Sequence, residues 1–221
     1  LAVFLVSKFA ALFFFLLISG YHFGEQHLMA KYRGPFAFGI ILFLVYGLAI
    51  LFLLFYLQVE EVVLIFGDIT DTVFQVSFFQ IGLYGLSTAL VLLFAFACFR
   101  GFLKVNPILE LFLFLVFFIV FQTASLVWAF CIYFIVWHSL PSLYDQLNFL
   151  YGNTNKSSML KYLRSSLPYW FLSIAGVGLL YLIIGNRTDY FITVVLYVLA
   201  GITFPHVLVM SRIGHLKSNN L

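Results

Sequence analysis

The sequence predicts an all-α fold, a polytopic membrane helical bundle forming a single integral-membrane domain over residues 1–221. Three observations predict it. Apolar residues make up 64% of the chain and charged residues only 9%, against about 25% charged in an average soluble domain. The 11 basic and 8 acidic side chains cannot cover a water-soluble globule of this size, which excludes a soluble enzyme, a disordered tail and a nucleic-acid binder. The apolar residues also fall in long continuous runs, as spanning helices require, and not in the alternating segments of about ten residues that build a membrane barrel.

The elements follow in order. The first run covers residues 9–29, with Lys8 at its outer edge. The chain starts at Leu1 inside an apolar stretch, without a basic flank or a small-residue cleavage site. It reads as a fragment whose N-terminal segment is missing and which carries no cleavable signal peptide. The second run covers residues 36–57. Residues 58–72, with Glu60, Glu61, Asp68 and Asp71, read as a short acidic connection. The third run covers residues 73–99. Residues 107–150 would make a helix of roughly 66 Å, twice a bilayer core. A break near Gln122-Thr123-Ala124-Ser125 divides this stretch into a short span and a long one, although it contains neither Gly nor Pro. Residues 152–166 resemble a linker, whose second half reads as a short interfacial helix or an ordinary loop. The last runs cover residues 168–185 and 190–210.

Charge arbitrates the break. With it, Lys31, Arg33, Arg100, Lys104, Lys156, Lys161, Arg164, Arg212 and Lys217 collect on one side, and only Lys8 and Arg187 on the other. Without it the basic residues divide almost evenly. The positive-inside rule therefore favours seven transmembrane helices with a cytoplasmic C-terminus, and the expected location is the cell's inner (plasma) membrane, as a multi-pass protein. Cys98 and Cys131 lie inside apolar runs and read as packing residues.

Ionisable residues inside spans are costly and mark candidate sites. Counted from the outer helix ends at Lys8, Thr123 and Asp189, His22, His138 and His206 lie about 21, 22 and 25 Å deep. Three imidazoles at one level point to a shared metal, since imidazole suits iron, copper, zinc and nickel. The alternative is that each separately bonds a carbonyl or hydroxyl. Pro141 and Pro205 place kinks beside His138 and His206. Glu25 and Gln26, one turn after His22, are candidates to orient its ring; the alternative for Glu25 is an interfacial charge beside Lys31 and Arg33. Ser142 and Asp145 share the His138 face. His27 and His215 are weaker candidates. Most of the 30 phenylalanines read as lipid-facing bulk. Phe23, Trp128, Tyr133, Phe134 and Trp137 lie near the histidine level and are candidates to line a greasy substrate cavity. A Gly-rich phosphate loop, a His-Glu-x-x-His motif and paired carboxylates within a span are all missing.

Tyr21-His22-Phe23-Gly24-Glu25-Gln26, Tyr133-Phe134-Ile135-Val136-Trp137-His138-Ser139 and Pro205-His206-Val207-Leu208-Val209 resemble motifs of the Brp/Blh family of membrane β-carotene 15,15′-dioxygenases. The resemblance runs from His22 to His206. It implies an Fe(II) enzyme that uses O2 to cleave the central double bond of β-carotene drawn from the bilayer, giving two retinal molecules. Retinal would supply a microbial rhodopsin. It implies membrane lipids and no nucleic acid as further partners. His22 and His138 match two of the family's iron-binding histidines. A third family histidine lies in an N-terminal segment absent here, and the usual histidine four residues after His138 is Ser142. The expectation is that His206 takes part in its place. The competing readings are a transporter or channel, with ion-binding groups at the midplane, and a non-catalytic carotenoid- or lipid-binding protein.

Overall fold

The computed structural model describes residues 7–184, 194, 198–199, 201–203 and 205–210. The expected span over 190–210 is therefore described only in part, and Arg187, Asp189, Arg212, His215 and Lys217 lie outside the described residues. The described residues form helices joined by short turns and extended connections. An isolated bridge between Tyr32 and Leu103 is the one β-type pairing among them.

Helix α1 (Lys8–Leu28) starts at a Ser7 cap whose hydroxyl accepts from the Ala10 amide at 3.2 Å. Helix α2 (Phe36–Leu57) follows Pro35 and is the hub of the bundle. Leu42, Tyr46, Ala49, Ile50 and Leu54 form its most buried stripe, at 0–2% exposure. α1 and α2 meet through small residues. A Cβ at Gly24 would collide with the Phe43 carbonyl, and one at Gly47 with the Gly20 carbonyl. Gly20 and Gly24 are a small-xxx-small pair, the pattern that lets membrane helices approach backbone to backbone.

Residues 58–72 are not the connection the sequence suggested. They contain a 12-residue helix, α3 (Val59–Thr70). Val62, Phe66 and Ile69 recur at helical spacing and are buried. Glu60 and Glu61 occupy its first turn, where the helix dipole favours acids. α3 ends at Asp71 in the left-handed region (φ 55°), and Asp71 accepts a 2.6 Å ion pair from Lys8. The rings of Phe52, Phe55, Phe66, Phe74 and Phe79 interlock across this end of the bundle. Many phenylalanines are thus packing groups and not lipid-facing bulk.

Helix α4 (Val76–Phe99) packs on α2 and ends at Gly101, φ 70°. The loop after it pairs with the loop after α1. The Arg33 amide donates to the Phe102 carbonyl at 2.7 Å, and the Lys104 amide to the Lys31 carbonyl at 3.0 Å. Lys31, Arg33, Arg100 and Lys104 therefore share one end of the bundle, opposite Lys8 and Asp71.

Helix α5 (Pro107–Thr123) begins at an Asn106 cap with proline in first position. The break expected near residues 122–125 is present: Ala124 and Ser125 are extended. Its cause is long-range. The Gln58 side-chain amide donates to the Phe121 carbonyl at 2.6 Å, taking the acceptor that a continuing helix would offer to residue 125.

Helix α6 (Leu126–Tyr151) runs as one unit containing a π-turn over Phe134–Ser139. Pro141 cannot donate to the Trp137 carbonyl, and the wider turn absorbs the mismatch. The helix stops at Gly152, φ 70°. The linker is shorter than residues 152–166. Asn155 caps a continuous helix, α7 (Lys156–Ile184), so the stretch 159–166 is neither a loop nor a separate interfacial helix. α7 is exposed along most of its length. The described residues of the last helix, α8, lie within Gly201–Met210.

Among the described residues, four helices are long and apolar enough to cross a membrane: Phe36–Leu57, Val76–Phe99, Leu126–Tyr151 and Lys156–Ile183. Pro107–Thr123 and Gly201–Met210 are apolar but shorter. α1 has 21 residues, and Tyr21, His22, Glu25, Gln26 and His27 dilute its apolar character near its C-terminal end. The fold of the described residues is all-helical, and their long apolar helices fit a membrane protein.

Candidate metal centre

Three helices bring His22, His138 and His206 together. His22 lies between Gly20 and Gly24 on α1, where close packing against α2 buries it to 4% exposure. His138 sits in the π-turn of α6 and is equally buried. His206 follows Pro205 on α8 and is half-buried. Ring centroids are 5.1 Å apart for His22 and His138, 5.4 Å for His22 and His206, and 6.0 Å for His138 and His206. The rings meet edge-on, at 78°, 89° and 68°, so their nitrogens converge instead of stacking face to face. One ligand atom from each lies within 4.8 Å of the others.

The hydrogen bonding of the trio is incomplete. Both ring nitrogens of His22, and Nδ1 of His138, are buried without a hydrogen-bond partner. A buried polar atom left unpaired costs about 1–3 kcal/mol. One nitrogen from each of the three rings could serve a shared metal ion, and at His22 the ion would satisfy one of two unpaired nitrogens. An all-imidazole donor set suits a first-row transition metal. The separate-bond alternative fails for His22, whose nitrogens bond neither carbonyl nor hydroxyl.

The other expected residues divide by position. Phe23 meets His138 at 5.0 Å and Tyr133 at 5.5 Å, centroid to centroid. Phe134 lies 4.8 Å from His138, and Trp137 packs on Phe117 at 5.0 Å. These four build an aromatic wall beside the trio. Trp128 does not join it: ten residues earlier on α6, about 15 Å along the axis, it is 69% exposed. Neither Glu25 nor Gln26 bonds the His22 ring. Glu25 accepts from the Tyr21 hydroxyl at 2.8 Å. The Gln26 amide donates to the backbone carbonyl of His138 at 2.8 Å. Gln26 is one turn after His22, so it ties the backbone carrying one histidine to that carrying another. Replacing Gln26 by Leu removes that tie and should lower the unfolding free energy by about 1 kcal/mol, read as a small fall in melting temperature in detergent.

Ser142 faces α8 and not the trio. Its hydroxyl lies 3.8 Å from the Met210 sulfur and accepts from the Gln146 amide at 3.2 Å. Gln146 in turn accepts from the Tyr162 hydroxyl at 2.9 Å, joining α7 to the same contact. Asp145 is half-buried, two turns beyond His138, outside the converging group.

One polar group escaped the sequence reading. Glu110, 6% exposed, binds His27, Lys31 and Tyr46 at 2.9–3.0 Å. His27, a weak metal candidate by sequence, is committed to this carboxylate. The nearest sequence signal was the single acidic residue just inside the α5 run; its partners lie 64–83 positions away.

A family model described as beta-carotene 15,15'-dioxygenase matches residues 1–213 of the chain. No curated protein and no solved structure matches it.

Proposed function

The chain belongs to the beta-carotene 15,15'-dioxygenase family, and on that premise we propose that it cleaves the central double bond of β-carotene with O2 at an Fe(II) ion held by His22, His138 and His206. The observation that carries the ligand assignment is the convergence of three imidazoles from three helices, two of them buried, with both His22 nitrogens left unpaired. When bound, Fe(II) supplies the activation of O2, the chemistry that no side chain here can provide. The reaction balances without protons or an added reductant: one C=C bond breaks, each carbon takes one oxygen, and two aldehydes result.

The chain's own residues position and exclude. His22, His138 and His206 offer three neutral donors and leave coordination positions open. Phe23, Tyr133, Phe134 and Trp137 give an apolar polyene an aromatic surface to lie against and keep the centre dry. Gln26 holds the His138 backbone in register with His22, which keeps the reacting groups aligned. A hydrocarbon substrate reaches the site from the bilayer.

The topology we propose has seven crossings, α1, α2, α4, α5, α6, α7 and α8, with α3 lying at the acidic end. Paired basic loops at Lys31–Arg33 and Arg100–Lys104, opposite the Lys8–Asp71 contact, support the alternation. By the positive-inside rule the basic end is cytoplasmic, the membrane is the plasma membrane, and the C-terminus is cytoplasmic. Retinal released there would serve a microbial rhodopsin.

The test is conversion in cells that make β-carotene. Expression under air should bleach the pigment and yield two retinal molecules per carotene consumed. Unchanged carotene beside well-expressed, iron-replete protein would reject the assignment and favour a carotenoid-binding protein.

A further inference from the structure

A second polar group lies between the histidine trio and the basic end of the bundle. Glu110, in the first turn of α5, accepts three hydrogen bonds from three other segments. His27 Nε2 of α1 donates at 2.9 Å, Lys31 Nζ of the following turn at 3.0 Å, and the Tyr46 hydroxyl of α2 at 3.0 Å. The His27 ring lies flat on Tyr46, centroids 5.0 Å apart and planes within 10°. The Glu110 side chain is 8% exposed, that of His27 23% and that of Lys31 38%, so Lys31 is the most exposed of the three.

A small cavity touches both groups. Its lining is polar at Gln26, His27, Tyr46, Tyr133 and His138 and apolar elsewhere, Phe23 and Trp137 included. Small buried spaces with several polar neighbours are where proteins hold ordered water. His138 lines this cavity, is 4% exposed, and its buried Nδ1 has no hydrogen-bond partner. An imidazole that ligates a metal through one nitrogen nearly always donates its other N–H to a carboxylate, a carbonyl or water.

We propose that this cavity is a water site, and that its water joins His138 to Glu110 through Tyr46 and His27. The inference rests on the reading of the trio as a metal centre. Glu110, Tyr46 and His27 are then positioning residues. They fix the water, the water fixes the orientation of the His138 ring, and the buried anion strengthens His138 as a donor.

The probe is Co(II), titrated into the purified chain in detergent, with its visible bands reporting the ligand field. Glu110→Gln keeps the shape and an acceptor oxygen but drops the charge; Tyr46→Phe removes only a hydroxyl. Each should weaken Co(II) binding roughly 10–100-fold, the usual loss when an outer partner of a ligating histidine goes, and should shift the bands. The double variant should lose no more than the worse single variant, because the two act in one chain of contacts. A purely structural role would lower the melting temperature of the metal-free protein and leave the bands in place. Unchanged affinity and bands in both variants, or strictly additive losses, would overturn the relay. His138→Ala separates the two ideas. If it loses Co(II) while Glu110→Gln does not, the relay alone falls. If it binds Co(II) like the parent, the metal reading falls and the relay with it.

Discussion

Replacing His206 by alanine should strip iron from the purified chain and reduce retinal formation to background. His206 is the residue that the structure brings to His22 and His138 from a third helix, with ring centroids 5.4 and 6.0 Å from theirs. Without it, two imidazoles remain in a largely apolar pocket, too few donors to hold a first-row metal against water. His22→Ala and His138→Ala should behave alike, because each removes one third of the donor set. Ser142→Ala is the contrast. The family resemblance implies a histidine at that position, but here the Ser142 hydroxyl contacts Met210 and Gln146. Its loss should leave iron bound and cost about 1 kcal/mol of stability at most. Metal content and retinal yield, measured on the same preparations, check both halves. Retained stoichiometric iron in His206→Ala would sink the assignment of that ligand.

The second large effect is on folding. Gly24→Val should melt well below the parent in detergent and lose iron with it. A Cβ at Gly24 would overlap the Phe43 carbonyl, and that oxygen belongs to the backbone of α2, which cannot swing aside as a side chain can. α1 must back away from α2, and His22, two residues earlier, moves with it. Overpacking a tight contact costs about 1–3 kcal/mol when side chains can adjust; against a backbone carbonyl the cost should lie at or above that range. Gly47→Val should act likewise, by collision with the Gly20 carbonyl. Gly176→Ala on α7 is the control: nothing lies within 4 Å of its Cβ. There the melting temperature should hold or rise slightly, since alanine favours a helix over glycine by roughly 0.5–1 kcal/mol.

These predictions draw unequally on the sequence. The level of the three histidines was legible by counting 1.5 Å per residue from helix ends, because a bilayer gives every span a common frame. The break after Thr123 was legible from charge sidedness, although its local signal was poor. The reason for that poverty is now plain: the acceptor lost to the helix is taken by Gln58, 63 positions away. The π-turn around His138 was hidden for a related reason. Pro141 announces a missing donor but not whether the chain answers with a kink or a wider turn. Helix α3 was missed because four buried residues in twelve are a weak period beside three acids. The Glu110 group was invisible because a lone carboxylate near a helix start looks interfacial until its partners on α1 and α2 arrive. Trp128 shows the opposite error, since sharing a helix with His138 did not place it on the same face or at the same depth.

The central claim is that the three histidines hold iron, and it is most directly tested by the iron content of the purified chain set against that of His138→Ala. The account expects close to one iron per chain in the parent and almost none in the variant. A parent that converts β-carotene to retinal while carrying no iron, or a variant as rich in iron as the parent, would contradict it.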